Sequence, residues 1–237
     1  MFLLESLVAV ATLLSSVGTP TDTTFVARVE VCDSAPAASP AVADDLRAAL
    51  AAHGGAVRWE PARGPVRLWV QRRPEVAADV IVTGAEWRRA ISAAAAAWRD
   101  VVPALAFAVE LDSARADVIV TWERDLAGVP ADGGLAFRTA GRTTLVPGTD
   151  GRALAAHVRL AVLAPEGERY SVEDVRAVAR HELGHALGLA HHAAPTSVMA
   201  PLVRAERLTD EDRATLRALY ALPIGARCTL PPSTPGA

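Results

Sequence analysis

Residues 181–191 read His-Glu-Leu-Gly-His-Ala-Leu-Gly-Leu-Ala-His, and this segment constrains the chain around it more than any other. His181 and His185 stand four residues apart, so on a helix they share one face, one turn above the other. Both rings then reach a single metal ion at about 2.0–2.1 Å. Glu182 projects about 100° round the helix from His181, beside the metal rather than on it, where it can hold a water. Gly188 takes the chain out of the helix through positive φ, which other residues adopt only at a cost. The turn after it can swing His191 back as a third ligand. Three protein ligands leave a fourth position for water, which separates a catalytic zinc site from a closed structural one. A bare HExxH also occurs on solvated helix faces, but the extended pattern and its surroundings weigh against that reading.

Ser171 and Asp174 form a capping-box pattern that starts a helix. Val172, Val175, Val178, Ala179, Leu183 and Ala186 follow at helical spacing, so the metal helix is expected over 171–187. Gly184 inside it costs about 1 kcal/mol relative to Ala. Close packing against a neighbouring strand is the expected reason.

HExxHxxGxxH followed by a methionine-containing turn, here Ser197-Val198-Met199-Ala200-Pro201, resembles the metzincin zinc endopeptidases. Within them the chain is most similar to the matrixins (peptidase family M10), the group of the matrix metalloproteinases. Leu208-Thr209-Asp210-Glu211-Asp212 leading to Leu219-Tyr220 resembles the matrixin C-terminal helix. Ala90 to Trp98, Val102 and Leu105-Ala106-Phe107 resemble the first helix and the strand after it. Ala116-Asp117-Val118-Ile119-Val120 resembles the third strand, and Gly133-Gly134-Leu135-Ala136 the fourth. The resemblance spans about residues 57–221. It implies an α+β, zincin-like metzincin fold: a twisted, mixed five-stranded sheet, three main helices, and a zinc cleft between upper and lower subdomains. It also implies that Met199 packs beneath the zinc-binding histidines. The substrate would lie extended along an edge strand at Leu135-Ala136, with Pro201 to Arg207 walling the pocket for the residue after the cleaved bond.

The chain departs from the matrixin pattern in three places. His192 stands where matrixins usually carry Ser. Of the structural-zinc ligands only His157 has a counterpart, and one His cannot hold a closed four-ligand site, so His157 reads as an ordinary strand residue. Val158-Arg159-Leu160 replaces the acidic calcium-binding run. One catalytic zinc is expected, without the structural zinc or the calcium ions. His53, beside Gly54-Gly55, reads as a solvated helix end.

At 237 residues there is room for one substantial domain plus extras. Apolar residues make up 51%, which supports a real core, and aromatics only 5%, so small aliphatic packing is expected. A net charge of −3 implies no field for nucleic acid or a membrane surface. No uninterrupted apolar stretch of about 20 residues is present, which excludes a polytopic membrane protein. Protein or peptide substrates are the expected partners of a monomer.

Four segments are expected. Residues 1–18 resemble a signal peptide, although the usual positive start is missing. A secreted or extracytoplasmic protein follows, with an uncleaved N-terminal anchor as the alternative. Residues 19–56 form an N-terminal extension, readable as a pro-region, with an Ala/Ser/Pro linker over 34–40 and a helix from Asp44 to His53. Residues 57–222 are the peptidase-like domain, and 223–237 a Pro-rich tail. Cys32 and Cys228 can pair in an exported protein, closing a loop worth up to about 4–5 kcal/mol; a zinc-capping Cys32 and two free thiols are the alternatives.

Within the domain, strands are expected at 66–70, 106–110, 117–122, 135–139 and 157–163, and a helix from Trp87 to Val101. The alanine run at 93–97 suggests close packing on the sheet, and Trp98 reads as core. Residues 140–156, polar and Gly-rich, read as a loop. Thr209 with Asp212 caps a last helix, with Leu216, Leu219 and Tyr220 inward. The expected activity is peptide-bond hydrolysis by a zinc-bound water, with Glu182 as general base. The alternatives are a non-enzymatic zincin-fold binding module and a zinc amidase with a non-peptide substrate.

Overall fold

The computed structural model describes residues 39–72, 84–102, 105–124, 126, 140–164, 167–202, 205 and 207–227. The 1–18 segment, both cysteines, the strand expected at 135–139 and the Leu135-Ala136 subsite lie outside the described residues.

Helix α1 spans Pro40–His53. Ser39 caps it by accepting the Val42 N–H at 3.3 Å, Pro40 sits at its first turn, and Gly54 ends it at φ 69°. The helix therefore starts four residues earlier than expected, inside the segment read as a linker, because Ser-Pro is itself a start signal. Val42, Leu46, Ala49 and Leu50 are buried, and α1 packs on α4 (Asp210–Ala221).

Five strands follow: β1 (Val66–Val70), β2 (Phe107–Val109), β3 (Val118–Glu123), β4 (Gly141–Pro147) and β5 (Ala153–Ala161). Their order is β2-β1-β3-β5-β4, parallel except for β4, which runs antiparallel to β5. This is the expected mixed five-stranded sheet in an α+β fold, with α1 as an additional helix. The loop reading of 140–156 is overturned, since β4 and the start of β5 occupy it. Thr143-Thr144-Leu145-Val146 carries β propensity. The polar glycine signal belongs to the hairpin turn, where Gly151 takes φ 85° and Gly148 N–H donates to Arg152 O at 2.7 Å.

Helix α2 (Gly84–Arg99) buries Trp87, Ala90, Ile91, Ala94, Ala95 and Trp98. Its alanines pack chiefly on α3 (Val172–Ala186) rather than on the sheet. The helix also touches the sheet, at β2 and through Trp87, whose ring meets Trp122 of β3 at 4.8 Å between centroids. No helix among the described residues is long and apolar enough to cross a membrane.

Candidate metal centre

Helix α3 carries the histidine pair because its start is fixed and its inner face is apolar. Ser171 Oγ accepts from Asp174 N–H at 3.1 Å while Asp174 Oδ2 accepts from Ser171 N–H at 3.0 Å, the reciprocal bonds of a capping box. Val175, Val178, Ala179, Leu183 and Ala186 are buried, and His181 and Glu182 are buried with them. Gly188 leaves the helix at φ 99°, and a side chain there would run into Val57 O. The chain then doubles back and delivers His191. One ring nitrogen from each of His181, His185 and His191 lies within 4.8 Å of the others.

The two helical imidazoles are oriented by backbone carbonyls. His181 Nδ1 lies 2.8 Å from Val198 O, and His185 Nδ1 lies 2.8 Å from Leu189 O. A carbonyl can only accept, so both Nδ1 atoms carry the proton and both neutral rings present a bare Nε2. Those two nitrogens face each other at 3.0 Å. Two lone pairs at that distance repel one another, and a cation bound by both would relieve the repulsion. Burial disfavours a proton in that role, lowering His181 to about 4 and His185 to about 3, each aided by a neighbouring histidine of the triad. His191, more exposed, is also lowered by burial. A neutral three-nitrogen donor set of this size suits a tetrahedral, borderline-soft ion, and zinc fits it.

The turn that bears Met199 meets the His181 ring through the Val198 carbonyl. Met199 is buried against Gly184, where an added Cβ would overlap its Sδ and press on Trp98. Gly184 thus makes room for the methionine and Trp98, not for a strand. Trp98 is core, and its Nε1–H donates to Arg180 O at 2.9 Å. The turn is held from below by the buried Asp212 carboxylate, which accepts from Ser197 Oγ at 2.5 Å and from Val198 N–H at 3.2 Å. The same carboxylate closes the capping box of α4 with Thr209. A connected path therefore runs from the α4 start through Asp212 and Val198 to the His181 ring.

Glu182 lies beside the triad, against β4. Thr143 Oγ1 is 2.7 Å from Glu182 Oε2 and 2.9 Å from its backbone oxygen. Burial raises the carboxyl to about 7, outweighing the opposing effects of the Thr143 hydroxyl and the Arg142 charge. Pro201 is exposed directly after the Met199 turn.

His192 is buried. Its Nδ1 accepts from Ala194 N–H at 2.8 Å, so Nε2 holds the proton. Nε2 lies 2.7 Å from Asp45 Oδ2 on α1, off the line of a hydrogen bond. His157 is on β5, with Nε2 2.9 Å from Thr121 Oγ1. His53, expected in solvent, is half-buried, and burial lowers its pKa.

Motif reading missed Thr143, Gly141 and Asp45. Thr143 and Gly141 sat in the presumed loop, and Asp45 is brought to His192 only by the packing of α1.

A family model described as matrixin (peptidase M10) matches residues 75–221. Matrix metalloproteinase-25 of Homo sapiens is 46% identical over 54 residues, covering 20% of this chain and 10% of that protein. The Mus musculus protein of the same name is 46% identical over 54 residues, covering 20% of this chain and 9% of its own length. The chain thus spans about a tenth of the length of these relatives.

Proposed function

Because this chain belongs to the matrixin family, we propose that it is a zinc-dependent endopeptidase, with His181, His185 and His191 as the metal ligands and Glu182 as general base. The observation that carries the reading is the pair of bare Nε2 atoms at 3.0 Å, with a buried carboxyl alongside. When bound, zinc supplies a Lewis acid that polarises the scissile carbonyl and makes a water acidic near neutral pH. Glu182 takes the proton of the attacking water and delivers it to the leaving amine. A carboxyl held near 7 by burial is matched to both transfers. Met199 supports the rings from below, and the carbonyls of Val198 and Leu189 keep them in the tautomer that leaves Nε2 bare.

The substrate is a protein or peptide added as an extended strand along the edge of the sheet on the β4 side, with Leu135 and Ala136 in that subsite and Pro201 at the pocket wall. Export directed by the first 18 residues belongs to the same reading.

The test is casein cleavage by the purified chain, before and after chelation and after zinc is returned. Cleavage should vanish on chelation and return with one zinc per chain. Glu182→Gln should keep the zinc and lose about 100- to 10,000-fold in rate, the range of general base catalysis. A Glu182→Gln protein that cleaves at the native rate removes the general-base role. A metal-loaded native chain that cleaves neither casein nor peptide libraries removes the endopeptidase reading.

A further inference from the structure

The Glu182 side chain packs against β4 at two residues, Gly141 and Thr143. Among the described residues β4 is an edge strand, joined to the sheet only through β5, with Gly141 opposite Leu160 and Thr143 opposite Val158. Gly141 and Thr143, two residues apart, point to the same side, towards α3. At Gly141 an added Cβ would stand 2.6 Å from both Cγ and Oε1 of Glu182 and 2.8 Å from Val178 Cγ1. The carboxylate therefore lies over bare backbone. Thr143 Oγ1 touches Oε2 at 2.7 Å. An ionised carboxylate only accepts, so the single hydroxyl hydrogen goes to Oε2 in the charged state. The backbone oxygen of Glu182 is also within reach of that hydroxyl, at 2.9 Å.

We propose that Thr143 is the positioning residue for Glu182: its hydroxyl fixes the carboxylate through Oε2, over the space left by Gly141, so that Oε1 is the oxygen that takes the proton of the attacking water. This rests on the peptidase reading above. Thr143 acts through Glu182 and does not itself touch the metal.

The experiment compares Thr143→Val, which keeps the shape and removes the hydroxyl, with Thr143→Ser, which keeps the hydroxyl. Thr143→Ala serves should the valine variant not fold. The valine variant should lose about 10- to 100-fold in kcat, the range of a lost hydrogen bond to a charged group, with KM and zinc content unchanged. Serine should recover most of the rate. A valine variant with native kcat, or a serine variant as slow as valine, overturns the proposal. A second measurement needs no turnover. The carboxyl band of Glu182, assigned by infrared difference against Glu182→Gln, should shift in Thr143→Val and return in Thr143→Ser. An unmoved band overturns the contact, whether or not the native chain cleaves peptides. A shifted band in a chain that cleaves nothing overturns the peptidase reading alone.

Discussion

Two carbonyl oxygens decide the chemistry of the histidine pair. By accepting from both Nδ1 atoms, Val198 and Leu189 force both lone pairs inward, and burial then refuses the proton that would relieve them. The metal-free protein should record this in its stability. His181 and His185 sit below their ordinary 6.5, at about 4 and about 3. Between pH 4 and 6.5 the native chain binds fewer protons than the unfolded one, so these two groups make stability rise with pH. Glu182 is displaced the other way, from 4.5 to about 7. Between pH 4.5 and 7 the native chain holds a proton that the unfolded one has released, so this group makes stability fall with pH. Each proton of difference is worth about 1.4 kcal/mol per pH unit. Glu182→Gln deletes the opposing slope alone. Thermal melts of both metal-free proteins from pH 4.5 to 7 should therefore show a steeper rise for the variant. Parallel curves would mean that Glu182 holds no proton there. The three histidines that the fold brings together were readable in advance because they lie within eleven positions of one chain segment. Thr143 was not, because its partner is 39 residues away and a threonine between Arg142 and Thr144 carries no signal.

At the scale of elements, the two capping boxes look alike in sequence and differ in consequence. Ser171 and Asp174 start α3 at an exposed end, and their bonds stay within one turn. Thr209 and Asp212 start α4, but Asp212 is buried and reaches back to Ser197 and Val198. Asp174→Ala should cost about 1 kcal/mol and leave zinc retention unchanged. Asp212→Ala should cost about 3 kcal/mol or more, because buried donors lose a charged acceptor. It should also weaken zinc in chelator competition, because the carbonyl that orients His181 rides on that turn. Denaturant melts and competition with a chromogenic chelator measure the two effects. Equal outcomes for both variants would sever α4 from the metal centre. The element boundaries followed the same division. Helices with local caps could be read off the sequence, as Ser171 and Thr209 show. β4 could not, because Gly141 and Gly148, which punctuate that stretch, are there for the Glu182 side chain and the hairpin. A polar, Gly-rich composition carries no mark of either partner.

At the scale of the molecule, the segment ahead of the family match does part of the folding. Residues 39–60 precede the matched span of 75–221, yet they are sewn into it and into the residues just after it. Ala56 N–H donates to Ala226 O at 2.8 Å, Gly225 N–H donates to Ala56 O at 2.9 Å, and Trp59 Nε1–H donates to Ala186 O at 2.8 Å at the end of the metal helix. Arg58 Nε–H donates to Leu222 O, closing the far end of α4. α1 adds Val42, Leu46 and Leu50 to the core, each buried aliphatic side chain worth about 1.5–3 kcal/mol. Asp45 is also set against His192, the neighbour of His191. From sequence alone the domain edge fell at residue 57, because the aromatic and strand signals begin at Trp59 while α1 reads as a short amphipathic helix that could belong to anything. Its buried face now argues for a boundary before Ser39. A chain beginning at Ser39 should melt within a few degrees of the longer protein and hold the same zinc. A chain beginning at Val57 loses that apolar face and should melt at least 10 °C lower or fail to fold, since several kcal/mol is a large part of a domain's total stability. If the Val57 chain is as stable as the Ser39 chain and more active, α1 is instead a removable pro-region. The mass of the mature protein would then place the cleavage after His53.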